Sequence, residues 1–185
     1  MKRVVILLFI IVFLLTGCSV KKANEVTDAE IFASEYAISK DHAFKYASLE
    51  EIFSLLENGT GILFFGNSDQ EDSLNVVKMF SRIVEVKKVE KVHYYNPIVI
   101  RDDKTADYDR LTSLLGDDIT VTENGDSYLE VPSVYFIKDG EIIGYSAEAS
   151  KIHEIEDDKL NEFYVYLEKS YLELIDKYLS DESIE

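Results

Sequence analysis

Cysteine, proline and tryptophan are nearly missing from this chain, which holds one, two and none of them respectively in 185 residues. The single cysteine is Cys18, so the sequence offers no partner for a disulfide and no pair for thiol exchange or a thiolate metal site. Basic residues are also scarce: 19 Lys and Arg stand against 36 Asp and Glu, a formal net charge of −17. Such a surface repels nucleic-acid phosphates and anionic headgroups, which argues against DNA, RNA or polybasic membrane binding. It suits a basic partner, divalent cations in bulk, or solubility alone. Aromatics make up for the missing tryptophan, with 12 Tyr and 10 Phe available for a core.

The cysteine sits where a leader ends. Lys2 and Arg3 precede an unbroken apolar run from Val4 to Leu15, too short to span a bilayer as a mature helix, and Leu15-Thr16-Gly17-Cys18 follows. This pattern resembles the lipobox of bacterial lipoproteins. The resemblance implies that Cys18 is lipidated and becomes the mature N-terminus, and that the chain is anchored at the extracytoplasmic face of the cell membrane. A diacylglycerol anchor holds durably where a lone acyl chain does not. An uncleaved N-terminal anchor is the alternative, and it leaves the same body outside the membrane. The expected division is a signal peptide over 1–17, a lipid-anchored tether over 18–40 and a folded domain over 41–185.

The stretch from Gly61 to Phe80 organises that domain. Ile62, Leu63, Phe64 and Phe65, bounded by Gly61 and Gly66, form a run too short for a buried helix and predict a central strand. Ser68 and Glu71 have capping-box spacing, which predicts a helix beginning near Asp69. Leu74, Val77, Phe80 and Val84 then recur at helical spacing, and Val76, Met79 and Ile83 widen the stripe.

A strand ending in Phe-Gly, a short turn and a helix beginning at the strand's end resembles the active-site segment of thioredoxin-fold proteins. The likeness is to thioredoxin-like accessory proteins of the bacteriocin-transport type. A second matching segment is Val131-Pro132-Ser133, which is similar to the family's Val-Pro-Thr with its cis proline facing the site, followed by an Asp139-Gly140 hairpin. The resemblance implies an α/β thioredoxin-like fold: a central mixed sheet flanked by helices, an insertion before the cis-proline strand and a long C-terminal helix. Where the family carries Cys-x-x-Cys, this chain has Gln70-Glu71-Asp72-Ser73. Thiol exchange needs an attacking and a resolving thiol, so the sulfur chemistry is expected to be absent. Asp69, Glu71 and Asp72 further disfavour any anion developing at this helix start.

The remaining segments complete the pattern. Residues 29–38 carry Ile31, Phe32 and Tyr36, which either form a short docked helix or belong to the tether. Ala43–Ala47 reads as a first strand, and Ser48 with Glu51 caps a helix bearing Ile52, Phe53, Leu55 and Leu56. Val92–Tyr95 reads as a strand closed by Asn96-Pro97, with His93 and Tyr95 on one face and Tyr94 on the other. From Ile100 to Leu129 come a charged loop over 101–104, a helix with Tyr108, Leu111 and Leu115, and a small hairpin around Ile119–Thr122. The aspartates Asp102, Asp103, Asp107, Asp109, Asp117 and Asp118 lack the spacing and central glycine of an EF-hand, and His42 has no second ligand at metal spacing. His42 is expected at the surface. The closing helix bears a stripe from Leu160 to Tyr178.

Three functions stay open at this level. The first is a binding module with no cofactor, holding a secreted or membrane protein on a face of Asn67, Ser68, Gln70, Glu71, Ser73, Val131, Pro132 and Ser133. There the residue before the cis proline offers its backbone to an extended peptide, as the resemblance implies. The second is a non-thiol enzyme using Ser73 or Asp72 with His93. The third is a structural subunit of an envelope complex.

Overall fold

Ile62, Leu63, Phe64 and Phe65 are all sealed from solvent, and the strand that carries them has a partner on each side. The computed structural model describes residues 26–180; Cys18, the leader and the first part of the tether, up to residue 25, lie outside the described residues. In chain order the elements are α1 (Asp28–Tyr36), β1 (Phe44–Tyr46), α2 (Leu49–Asn58), β2 (Gly61–Phe65), α3 (Glu71–Val86) and β3 (Val92–Tyr95). Then follow α4 (Ile98–Asp102), α5 (Ala106–Leu115), β4 (Thr120–Val121), β5 (Ser127–Tyr128), β6 (Ser133–Lys138) and β7 (Glu141–Ser146). A 3-10 segment (Glu148–Glu154) and α6 (Leu160–Leu179) close the chain. No helix among the described residues is long and apolar enough to cross a membrane.

The sheet is mixed, in the order β1-β3-β2-β6-β7. β1, β3 and β2 run parallel, while β6 pairs antiparallel with β2 and β7 with β6. A strand covered on both faces must be apolar throughout, and β2 is. Its side chains alternate: Ile62 and Phe64 enter one core, Leu63 and Phe65 the other. α1, α3 and α6 cover the first face, and Phe64 meets Phe44, Phe80 and Tyr94 there at ring separations of 5.6, 6.0 and 6.4 Å. Ring pairs at this distance add to burial rather than merely filling space. α2 and α5 cover the second face through Phe53, Leu56, Leu111 and Leu115.

Local chemistry accounts for most boundaries. Ser48 and Glu51 form the expected reciprocal cap, at 3.3 Å from Glu51 N–H to Ser48 Oγ and 2.8 Å from Ser48 N–H to Glu51 Oε2. Thr27 and Glu30 form the same box at the head of α1, which decides between the two readings of residues 29–38. The docked helix is the one seen: Phe32 and Tyr36 are 1% and 0% exposed within the aromatic core. β6 and β7 join through Asp139 and Gly140, both at positive φ (50° and 81°), as a two-residue hairpin requires. A side chain at 140 would also collide with the Glu57 carbonyl, 2.5 Å from where its Cβ would stand.

Three expectations need correction. The Ser68–Glu71 cap does not form, because Asn67 Oδ1 takes the N–H of Asp69 at 3.2 Å and the chain turns two residues longer before α3 begins at Glu71. The charged stretch at 101–104 is in part helical. Asn96 Oδ1 accepts the N–H of Ile98 and starts α4, and Arg101 folds inward over the Tyr128 ring at 4.8 Å, donating to the Leu129 carbonyl at 3.2 Å. His42 is half-buried rather than superficial: its Nε2 bonds the Ala29 carbonyl at 3.0 Å and its ring lies 4.9 Å from Phe32.

Because Phe32 is central to the aromatic core, Phe32→Ala should lower the unfolding free energy of the full chain by about 3–5 kcal/mol in urea titration. A loss below about 1 kcal/mol would mean that α1 only rests on the surface.

Candidate functional site

Where β2 ends, backbone polar groups must find partners in a largely apolar surrounding. The Gly66 carbonyl accepts from Tyr94 Oη at 3.1 Å, and Tyr94 Oη accepts from Tyr36 Oη at 2.9 Å. Burial pushes both phenols up, Tyr94 to about 12, so each keeps its proton at neutral pH. Gly66 N–H donates to the Tyr95 carbonyl at 3.1 Å, so both of its backbone groups are held. A Cβ on Gly66 would stand 2.6 Å from the Phe64 ring and 3.0 Å from Tyr36 Oη, which is why the relay needs glycine here.

The next residues extend this fixed point. Asn67 N–H donates to Ser73 Oγ at 3.2 Å, and Asn67 Oδ1 also accepts from Asn96 Nδ2 at 3.2 Å. The turn is thus tied to the first turn of α3 and to the chain after β3. Gln70 follows as the residue preceding α3, in extended backbone conformation.

Gln70 faces Val131 across a cleft of about 430 Å³. The Val131–Pro132 peptide is cis, and Val131 stands just before β6. Among the described residues, no hydrogen bond uses the N–H or the C=O of Val131. The third wall is the 3-10 segment with the chain leading into α6 and the start of α6 itself, contributing Ser150, Ile152, His153, Ile155 and Tyr164. Glu71 and Asp72, in the first turn of α3, stand at the cleft where their charge offsets the helix dipole. His153 Nδ1 lies 2.9 Å from Asp72 Oδ2, linking two walls. That carboxylate holds the imidazole above its ordinary value.

The residues singled out from the sequence fall into two groups. Gln70, Glu71 and Val131 meet at the cleft. Ser73 and Ser133 do not reach it: both are 0% exposed, Ser73 holding Asn67 and Ser133 Oγ donating to the Glu130 carbonyl at 2.7 Å. Asn67 and Ser68 belong to the turn, and Pro132 is buried and does not line the cleft. His93 lies on the α2 side of the sheet, level with Leu63, whereas α3 packs on the other side, so no Ser73–His93 pair is assembled. Burial lowers the His93 pKa, with Lys91 acting in the same sense.

The 3-10 segment has no counterpart among the elements expected from the sequence. Its signal was present: Ala149, Ile152 and Ile155 recur every third residue, the 3-10 period. The aspartates of the insertion are spread over α4, α5 and the residues after them, and among the described residues no three His, Cys, Asp or Glu side chains converge as a metal site would require.

The arrangement is chemically a contact surface with free backbone groups, apolar side walls and carboxylates. In an NMR titration, His153 should show a midpoint above an ordinary imidazole, and Asp72→Asn should bring it down. The sign follows: stability from this contact is fully present below about pH 6.5 and is lost as pH rises through the raised value. A midpoint indifferent to Asp72→Asn would contradict the pairing. Compared with protein-family models, with curated proteins and with solved structures, the chain matches none of them.

Proposed function

We propose that this chain is a membrane-anchored extracytoplasmic lipoprotein whose folded part is a redox-inactive thioredoxin-like domain, working as a peptide- or protein-binding module. The observation that carries the reading is Val131: its backbone donor and acceptor lie unpaired among the described residues, at a cleft shared with Gln70. An extended segment laid along Val131 would satisfy both groups by strand-like pairing, which gives affinity without requiring a nucleophile.

Several features support the thioredoxin-like part. The sheet is mixed and flanked by helices, a helix begins just beyond the central strand, and a cis Val-Pro segment stands beside that helix start. The Asp139-Gly140 hairpin follows it, in the order the resemblance implies. Gln70 and Ser73 stand where the family's thiols would be, so the domain keeps the contact surface and not the electron transfer. An anchor on Cys18 raises the local concentration of the domain near the membrane, where a weak affinity suffices. The partner is then a secreted or membrane protein.

Two measurements test this. Cys18→Ala should abolish metabolic palmitate labelling and release the chain from membranes; a labelled variant would contradict the anchor. Blocked hexapeptides selected from a random library should bind the full chain in detergent micelles, and N-methylation of the peptide's central residue should weaken binding about tenfold by deleting one backbone hydrogen bond and its geometry. Unchanged affinity after N-methylation would contradict backbone pairing, as would a library that yields no binder.

A further inference from the structure

The walls of the cleft specify more than a place for backbone pairing. Glu71 and Asp157 are exposed carboxylates lining it, and Asp72 is a third, its side chain 15% exposed. No lysine or arginine lines the cleft, and its one basic group, His153, is already held by Asp72. Val131, Ile152, Ile155 and Leu160 line the same cleft and give it apolar surface for an alkyl stem. Gln70 Oε1 is closed to solvent and accepts no hydrogen bond among the described residues. A side-chain rotation at Gln70 would turn this unpaired acceptor toward a donor that an occupant brings. Tyr164 adds a ring to the same wall, a surface on which a cationic group can stack.

An occupant that matches all of these needs an apolar shaft, a positive end rich in N–H donors, and attachment to an extended backbone. We infer that the cleft selects a lysine or arginine side chain projecting from the peptide segment that pairs with Val131. This rests on the binding reading above and names the chemical class of its ligand. The stem lies on Ile152 and Leu160, and the cationic head reaches Glu71 and Asp157. The chain's overall charge of −17 draws such segments in, while the cleft fixes which residue is read.

The test uses the full chain in uncharged detergent micelles at pH 7 and blocked pentapeptides Thr-Val-X-Val-Thr, where X is lysine, arginine, norleucine or glutamate. Binding is read by fluorescence anisotropy at low and high salt. Lysine or arginine should bind at least about tenfold more tightly than norleucine, with glutamate weakest and the preference shrinking as salt screens it. The double variant Glu71→Gln, Asp157→Asn should lose that preference and keep its affinity for norleucine. Glu50→Gln with Glu168→Gln removes the same charge from exposed positions outside the cleft and should preserve the preference. Equal binding of lysine and norleucine overturns this inference and leaves the binding reading standing. Equal loss in the two double variants also overturns it, assigning the effect to the general field. If no peptide binds, the inference falls together with the binding reading.

Discussion

A short relay of hydroxyls beneath the end of the central strand holds this molecule in register. Tyr36 Oη donates to Tyr94 Oη, which donates to the Gly66 carbonyl, and through those two bonds α1, β3 and the end of β2 become one unit. The groups are buried, so losing one partner would strand the others without water, a penalty larger than the bond's net worth. The aromatic cluster around Phe32, Phe44 and Phe64 surrounds the relay with rings and keeps solvent out. The position of the β2–α3 turn, and with it Gln70 and the whole near wall of the cleft, follows from that fixed point.

From this anchor the candidate site is assembled by two further ties. Asn67 binds the turn both to Ser73 and to Asn96, which sets where α3 starts. Ala149 and Ile152 pack the 3-10 segment into the core beside that start, and the Asp72–His153 contact links the two across the cleft. Each of the two serines at the helix start and the cis-proline segment is consumed in a structural bond, so what the cleft presents is unpaired backbone, carboxylates and apolar side chains. A nucleophile would need a base within reach of its hydroxyl, and Ser73 sits on the opposite side of the sheet from His93.

The elements of longest period were the most legible in the sequence. β2 announced itself as an apolar run between glycines, α3 and α6 as stripes at helical spacing, and Ser48 with Glu51 as a cap. Those signals are local, and the local rule coincides with the tertiary outcome. The Ser68–Glu71 pair had the same spacing as Ser48–Glu51 and yet no cap formed, because Asn67 one residue earlier takes the N–H of Asp69 into a turn of its own and is itself fixed by Asn96, just past β3. Arg101 misled for a related reason: only the folded position of Tyr128 and Leu129 gives its guanidinium a reason to turn inward. His153 could be located only once α3 and the 3-10 segment lay side by side, 81 residues apart in sequence. Of the eight residues expected to share a face, Gln70, Glu71 and Val131 do meet at the cleft, whereas the inward rotation of Ser73 and Ser133 depended on partners that neither segment displays by itself.

The reading of the cleft as a strand-pairing surface turns on the backbone of one residue. The most direct measurement is amide hydrogen exchange at Val131, resolved by NMR, in the free full chain and again with a saturating peptide. The account predicts fast exchange without peptide and protection of about a hundredfold or more with it, since the amide gains a partner only from the ligand. Slow exchange in the free chain, or exchange that the peptide leaves unaltered, would contradict it.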